Sequence, residues 1–175
     1  MTVETETIDS QKNVTSKKFM TFTLSGECYG ISILLVEEVI GTLPITPIPN
    51  TPTFVNGVIN LRGRIIPVID LRVKLHMATT DLDKESCILI LKIPIRNGIF
   101  NIGIVVESIH DIREVAETQI SPAPNFGVKV NTMFLDGIVK EGKEQALLLL
   151  NAVKALTSKD VDQLQDLANS ATIDK

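Results

Sequence analysis

Apolar and polar residues alternate at period two from Phe19, with Met20, Phe22 and Leu24 set between Thr21 and Thr23, the spacing of a half-buried strand. Ser25-Gly26-Glu27 supplies a turn into Cys28–Ile33, and Leu35–Ile40 reads as a further strand. The stretch from Leu43 to Pro52 carries four prolines. Each removes a ladder donor, so this cannot be a central strand. Thr51 followed by Pro52 predicts one short helical turn through Asn56. A hairpin follows, with arms Gly57–Leu61 and Arg64–Ile69 and Arg62-Gly63 at its tip, where Gly63 supplies the positive φ a tight turn needs.

The second half repeats this order. Cys87–Ile95 and Ile99–Val106 flank Asn97-Gly98, the strongest short-range hairpin signal in the chain. Ile120-Ser121-Pro122-Ala123-Pro124-Asn125 echoes Ile45-Thr46-Pro47-Ile48-Pro49-Asn50, and Phe134-Leu135-Asp136-Gly137 echoes Phe54-Val55-Asn56-Gly57. Leu147–Leu150 followed by Asn151 matches Ile66–Ile69 followed by Asp70, after a turn at Glu141-Gly142-Lys143. Two copies of about five strands each is the reading; chance likeness of Ile- and Val-rich strands is the alternative. At the end, Thr157-Ser158-Lys159-Asp160 fits a capping box. Val161, Leu164, Leu167, Ala168 and Ala171 then recur at helical spacing, which predicts one amphipathic helix packed on its own domain.

Composition agrees with strands: 22 Ile, 16 Val and 16 Thr stand against 8 Ala. Seventeen basic against 21 acidic residues give a net charge of −4, and aromatics are only 4%. A nucleic-acid partner, which needs basic surface and stacking rings, is not expected. No run approaches the roughly 18 apolar residues of a membrane span, and Met1–Lys18 lacks the apolar core of a signal peptide. A cytoplasmic protein with reduced thiols at Cys28 and Cys87 is expected. The phosphate-loop spacing of Gly137 through Lys143 ends on Glu144, where the motif needs Ser or Thr for magnesium. His76 and His110 lack metal-ligand spacing, and no nucleophile–base pair can be assembled. The chain reads as a binding protein, not an enzyme, with no cofactor.

Two residues point to binding. Arg62, at a hairpin tip, presents a guanidinium suited to a partner carboxylate; an ordinary exposed turn arginine is the plainer reading. Strand alternation puts Glu38 on one face with Val36 and Ile40, a mixture that resembles an interface; an edge strand guarded by one inward charge is the alternative.

Tyr29-Gly30-Ile31, Val36-Glu37-Glu38-Val39, Asn50-Thr51-Pro52, Phe54 through Gly63 and Ile66 through Arg72 resemble the CheW family of bacterial chemotaxis coupling proteins. Ile120–Phe126 and Phe134–Gly137 continue the likeness, which covers roughly Phe19 to Ala155. The resemblance implies an all-β fold of two five-stranded, SH3-like β-barrels around a shared hydrophobic interface. Nominal bounds are 1–17 for a flexible tail, 18–82 and 83–156 for the barrels, and 157–175 for the helix and its tail. It implies a non-catalytic adaptor, monomeric in isolation, that joins the regulatory domain of a CheA-type histidine kinase to the cytoplasmic tips of chemoreceptors at the inner face of the membrane. Val36, Glu38, Gly57 and Arg62 match positions associated with the receptor. Cys87, Ile109 and Ile112 align with apolar positions lining the same groove between the barrels. Ser121, Asn125 and Phe126 match the loop that meets the kinase. Ser121 departs from relatives that carry Arg there, so this contact is weakened or built differently. A CheW-like adaptor of another kinase pathway, such as pilus motility, and a small-ligand β-barrel are the alternatives.

Overall fold

A computed structural model describes residues 15–123, 134–143 and 145–173. Eleven strands are present among them: β1 (Ser16–Leu24), β2 (Glu27–Ser32), β3 (Val36–Gly41), β4 (Val55–Leu61), β5 (Arg64–Ile69), β6 (Cys87–Ile95), β7 (Gly98–Val106), β8 (Ser108–Ala116), β9 (Ile120–Ser121), β10 (Leu135–Glu141) and β11 (Gln145–Leu150). Three helices complete the set: α1 (Leu71–Lys74), α2 (Ala152–Ala155) and α3 (Ser158–Ile173).

The strands form two sheets, one in the order β3-β6-β7-β5-β4 and one in the order β8-β1-β2-β11-β10-β9. Each holds one parallel pair, β5 with β7 and β2 with β11. The sheets do not divide at residue 82, because β6 and β7 complete the sheet that β3, β4 and β5 begin. The N-terminal hairpin β1–β2 joins the later strands instead. The five-stranded sheet is therefore one strand and two hairpins; the six-stranded sheet has the same parts plus the two-residue β9, and is permuted, drawing one hairpin from near the chain's start.

The duplication read from the sequence has geometric counterparts. Ladder register shifts between Val55 and Gly57, and again between Leu135 and Gly137. Asp70 N–H donates to the Phe54 carbonyl at 2.8 Å, and Asn151 N–H to the Phe134 carbonyl at 2.7 Å. Asp70 and Asn151 then cap α1 and α2. At both bulges glycine is required by close approach: a Cβ on Gly57 would lie 2.1 Å from the Thr46 carbonyl oxygen, and one on Gly137 2.8 Å from that of Ser121.

Some local expectations shift. The strand expected from Phe19 begins at Ser16, since Ser16 and Lys17 pair with Ala116 and Val115; the first fourteen residues lie outside the described part. The helical turn expected over 51–56 is a single turn closed by Val55 N–H to Pro52 O at 3.0 Å. Thr51 Oγ1 donates to Ile48 O at 3.1 Å instead of capping, and β4 claims Val55 and Asn56. The β6–β7 turn falls on Arg96 and Asn97, with Gly98 already paired to Ile95. The Arg62-Gly63 tip stands as expected, both residues at positive φ (53° and 83°), and so does the capping box. Asp160 N–H donates to Thr157 Oγ1 at 3.0 Å, and Thr157 N–H to Asp160 Oδ2 at 2.9 Å.

Three apolar clusters hold the molecule. Ile59, Leu61, Ile66, Val68, Ile88, Ile90 and Val105 pack against one another in the five-stranded sheet. Phe19, Val115, Val139, Leu147 and Leu149 do the same in the six-stranded sheet. The largest cluster takes Phe22, Leu24 and Ile31 from one sheet and Leu89, Leu91, Ile102 and Ile104 from the other, with Leu164 of α3. This is the seam between the halves. Across it runs a polar bolt. Buried Arg72 donates from Nε and Nη2 to Asp70 at 3.0 and 2.9 Å and from Nη1 to Glu107 at 2.9 Å. Glu107 in turn accepts the N–H groups of Ser25 and Gly26 in the β1–β2 turn.

Candidate functional site

Paired residues in an antiparallel ladder share a face, so register locates each candidate side chain. Val36 pairs with Leu91, but a bulge intervenes and Glu38 pairs with Ile90, Ile40 with Ile88. Leu91 belongs to the seam cluster, while Ile90 and Ile88 belong to the cluster inside the five-stranded sheet. Val36 thus faces the seam while Glu38 and Ile40 face the other way. The single face expected for all three does not exist, because one extra residue in the strand reverses the alternation.

The apolar candidates do converge. Val36, Cys87 and Ile109 are half-buried and pack against the seam cluster. Ile112 pairs with Met20, which packs on that cluster too, and 52% of Ile112 is exposed. All four therefore lie on the seam face, three of them on the edge strands β3 and β8. Among the described residues the space between the halves is filled by the seam's own side chains, with Leu89, Leu91, Ile102 and Ile104 fully buried there. What is left is an apolar margin. Gly57 is buried; its part is to let the backbone at Thr46, which forms an isolated bridge with Val58, approach β4.

Arg62 is not a free guanidinium. Nη1 and Nη2 donate to Glu38 Oε1 and Oε2 at 2.7 and 2.8 Å, so the hairpin tip is tied to β3. The hydrogen bonding from Arg62 is the main reason the Glu38 carboxyl is held below the usual carboxylate range, and donating to that carboxylate raises Arg62. Beside this pair, Arg64 Nη2 donates to Glu37 Oε2 at 3.2 Å and its Nη1 to Asn101 Oδ1 at 3.2 Å. Asn101 Nδ2 donates to Glu37 Oε2 at 3.3 Å and to the Leu91 carbonyl at 3.2 Å. β3 and β4 are opposite edges of their sheet, so these side chains join what the backbone ladder leaves open.

Ser121 is exposed and pairs with Ile138; Asn125 and Phe126 lie outside the described residues. Burial raises both thiols, at Cys28 and Cys87, which keeps them protonated near neutrality. Two features escaped the sequence reading. Arg72 carries the buried charge network, and its signal in the sequence is its spacing from Asp70, a helix cap two residues earlier. Leu34, placed by the sequence reading just before the strand at Leu35, sits in a 3-10 turn and is 80% exposed.

A family model described as the CheW-like domain matches residues 18–160. Chemotaxis protein CheW of Klebsiella aerogenes is 39% identical over 154 residues, 88% of this chain and 90% of that protein. The Bacillus subtilis protein of the same name is 32% identical over 149 residues, 85% of this chain and 92% of its own length. Among solved structures, the scaffolding protein TtCheW from Thermoanaerobacter tengcongensis matches with a TM-score of 0.68 at 35% identity, covering 78% of this chain and 89% of that one.

Proposed function

This chain belongs to the CheW family of chemotaxis scaffold proteins, and from that premise we propose that it joins a CheA-type histidine kinase to the cytoplasmic tips of chemoreceptors without catalysing a reaction. The observation that carries the receptor side is the shared orientation of Val36, Cys87, Ile109 and Ile112 on the seam margin. A receptor's helical hairpin lays aliphatic side chains along that strip, a shallow version of helix-in-groove recognition. Covering one exposed aliphatic side chain contributes about 1.5–3 kcal/mol. Several such contacts approach the roughly 8 kcal/mol of a micromolar complex once association costs are met.

Glu38 and Arg62 serve the receptor indirectly in this account. They satisfy each other and face away from the strip, so they pin the strand that presents Val36. The kinase side is assigned to Ser121, Asn125 and Phe126 by family likeness. Serine at 121 offers no charge, which shifts weight onto the Phe126 ring. The adaptor is a monomer that takes no cofactor and works in the cytoplasm beneath the receptors' membrane. None of the described helices is long and apolar enough to cross a membrane.

Retention on an immobilised receptor-tip fragment tests the bridging role. The kinase regulatory domain should stay on the resin only when this chain is added. Phe126→Ala should leave the chain bound to receptor while most of the kinase is lost. Kinase retention without the chain, or equal loss of both partners in the variant, contradicts the two-sided arrangement.

A further inference from the structure

In each sheet the strand that opens the unit is tied to the tip of the following hairpin by one charged pair. Glu38 of β3 meets Arg62, and Arg113 of β8 meets Glu141 at the end of β10. The two sites are equivalent: Glu38 pairs across the ladder with Ile90 and Arg113 with Phe19, each partner lying in its own sheet's inner cluster. Among the described residues, one pair of reversed polarity ties strand to tip in the second unit. The first unit adds another bridge, Arg64–Glu37–Asn101, with a bond from Asn101 to the carbonyl of Leu91. Leu91 is the ladder partner of Val36. The added bridge thus acts at the bulge that turns Val36 toward the seam.

We infer that Arg64 is a positioning residue for receptor docking: through Glu37 and Asn101 it fixes the β3 bulge, and with it the side chain of Val36 on the seam margin. The inference rests on the reading of that margin as the receptor face. A guanidinium reaching two acceptors on different strands restricts both, and a pre-set strand loses less freedom when a helix settles on it. The exposed bridge adds little to overall stability, so its effect lies in binding.

Titration of the full chain with a receptor-tip fragment, well below the unfolding midpoint, provides the test. Arg64→Ala and Glu37→Ala should each weaken binding about three- to tenfold, and the double variant should be no worse than the weaker single. Stoichiometry near that of the unaltered chain shows that the variants are folded. Wild-type affinity in either single, or a double loss equal to the product of the two, overturns the inference. Ile112→Asp runs beside them. If it loses binding while Arg64→Ala does not, only the role of Arg64 falls; if Ile112→Asp binds normally, the receptor face and this inference fall together.

Discussion

Arg72→Ala should lower the free energy of unfolding by about 3–5 kcal/mol, the range for breaking a buried ion pair from one side. In a chain of this size that is a drop of roughly 10 °C in the thermal midpoint. Arg72 is only 3% exposed, and its removal strands two carboxylates, Asp70 and Glu107, which accept three of the four hydrogen bonds its guanidinium donates, the fourth going to the Thr80 carbonyl. Arg72→Met, which keeps most of the volume, should fare little better, because the loss is of charge pairing and not of packing. Calorimetry on both variants checks this.

The same network sets a dependence on pH. At Glu107 burial is the largest influence and would raise the carboxyl. It is outweighed by the bonds from Arg72 and from the Gly26 and Ser25 N–H groups, with the pull of the Arg72 charge, so the group sits below its usual range. A depressed carboxyl contributes stability above its unfolded pKa and loses it as pH falls through the folded value. Asp160 behaves alike: burial raises it, while Lys74 and both the N–H and hydroxyl of Thr157 prevail and lower it. The thermal midpoint of the unaltered chain should therefore fall on acidification below about pH 4, and Arg72→Ala should fall less steeply.

Ile112→Asp should reduce receptor affinity at least about 30-fold while unfolding remains cooperative. The isoleucine is half exposed, so the fold loses little; surface changes of this kind stay near 0.5 kcal/mol. The docked complex loses an aliphatic contact and must also bury a carboxylate with no partner, which together exceed about 2 kcal/mol, or roughly 30-fold. Near-normal capture of the receptor fragment by this variant would contradict the docking strip, and the role given to Arg64 with it.

Much of the fold was legible because it is written locally. Period-two alternation marked β1, and the Arg62-Gly63 dipeptide marked a turn whose backbone needs positive φ. The paired Phe-x-x-Gly and Pro-x-Pro-Asn segments announced the duplication that the matched bulges at Gly57 and Gly137 bear out. What was missed depends on distant partners or on a single inserted residue. That β1–β2 completes the later sheet follows from the parallel pairing of β2 with β11, more than a hundred residues apart in sequence, which no local pattern encodes. The bulge after Val36 reverses the facing of Glu38, and alternation alone cannot register it. Arg62 looked available because its partner, 24 residues earlier, was unseen. Val36, Cys87, Ile109 and Ile112 come to one face, a placement set by bulges and strand order that sequence alternation does not specify.

Methyl NMR on the isoleucine- and valine-labelled chain addresses the central claim most directly. Addition of a receptor-tip fragment should shift Val36, Ile109 and Ile112 while leaving Val139, buried in the cluster inside the six-stranded sheet, unmoved. Shifts that spare all three margin residues and gather on another surface would contradict it.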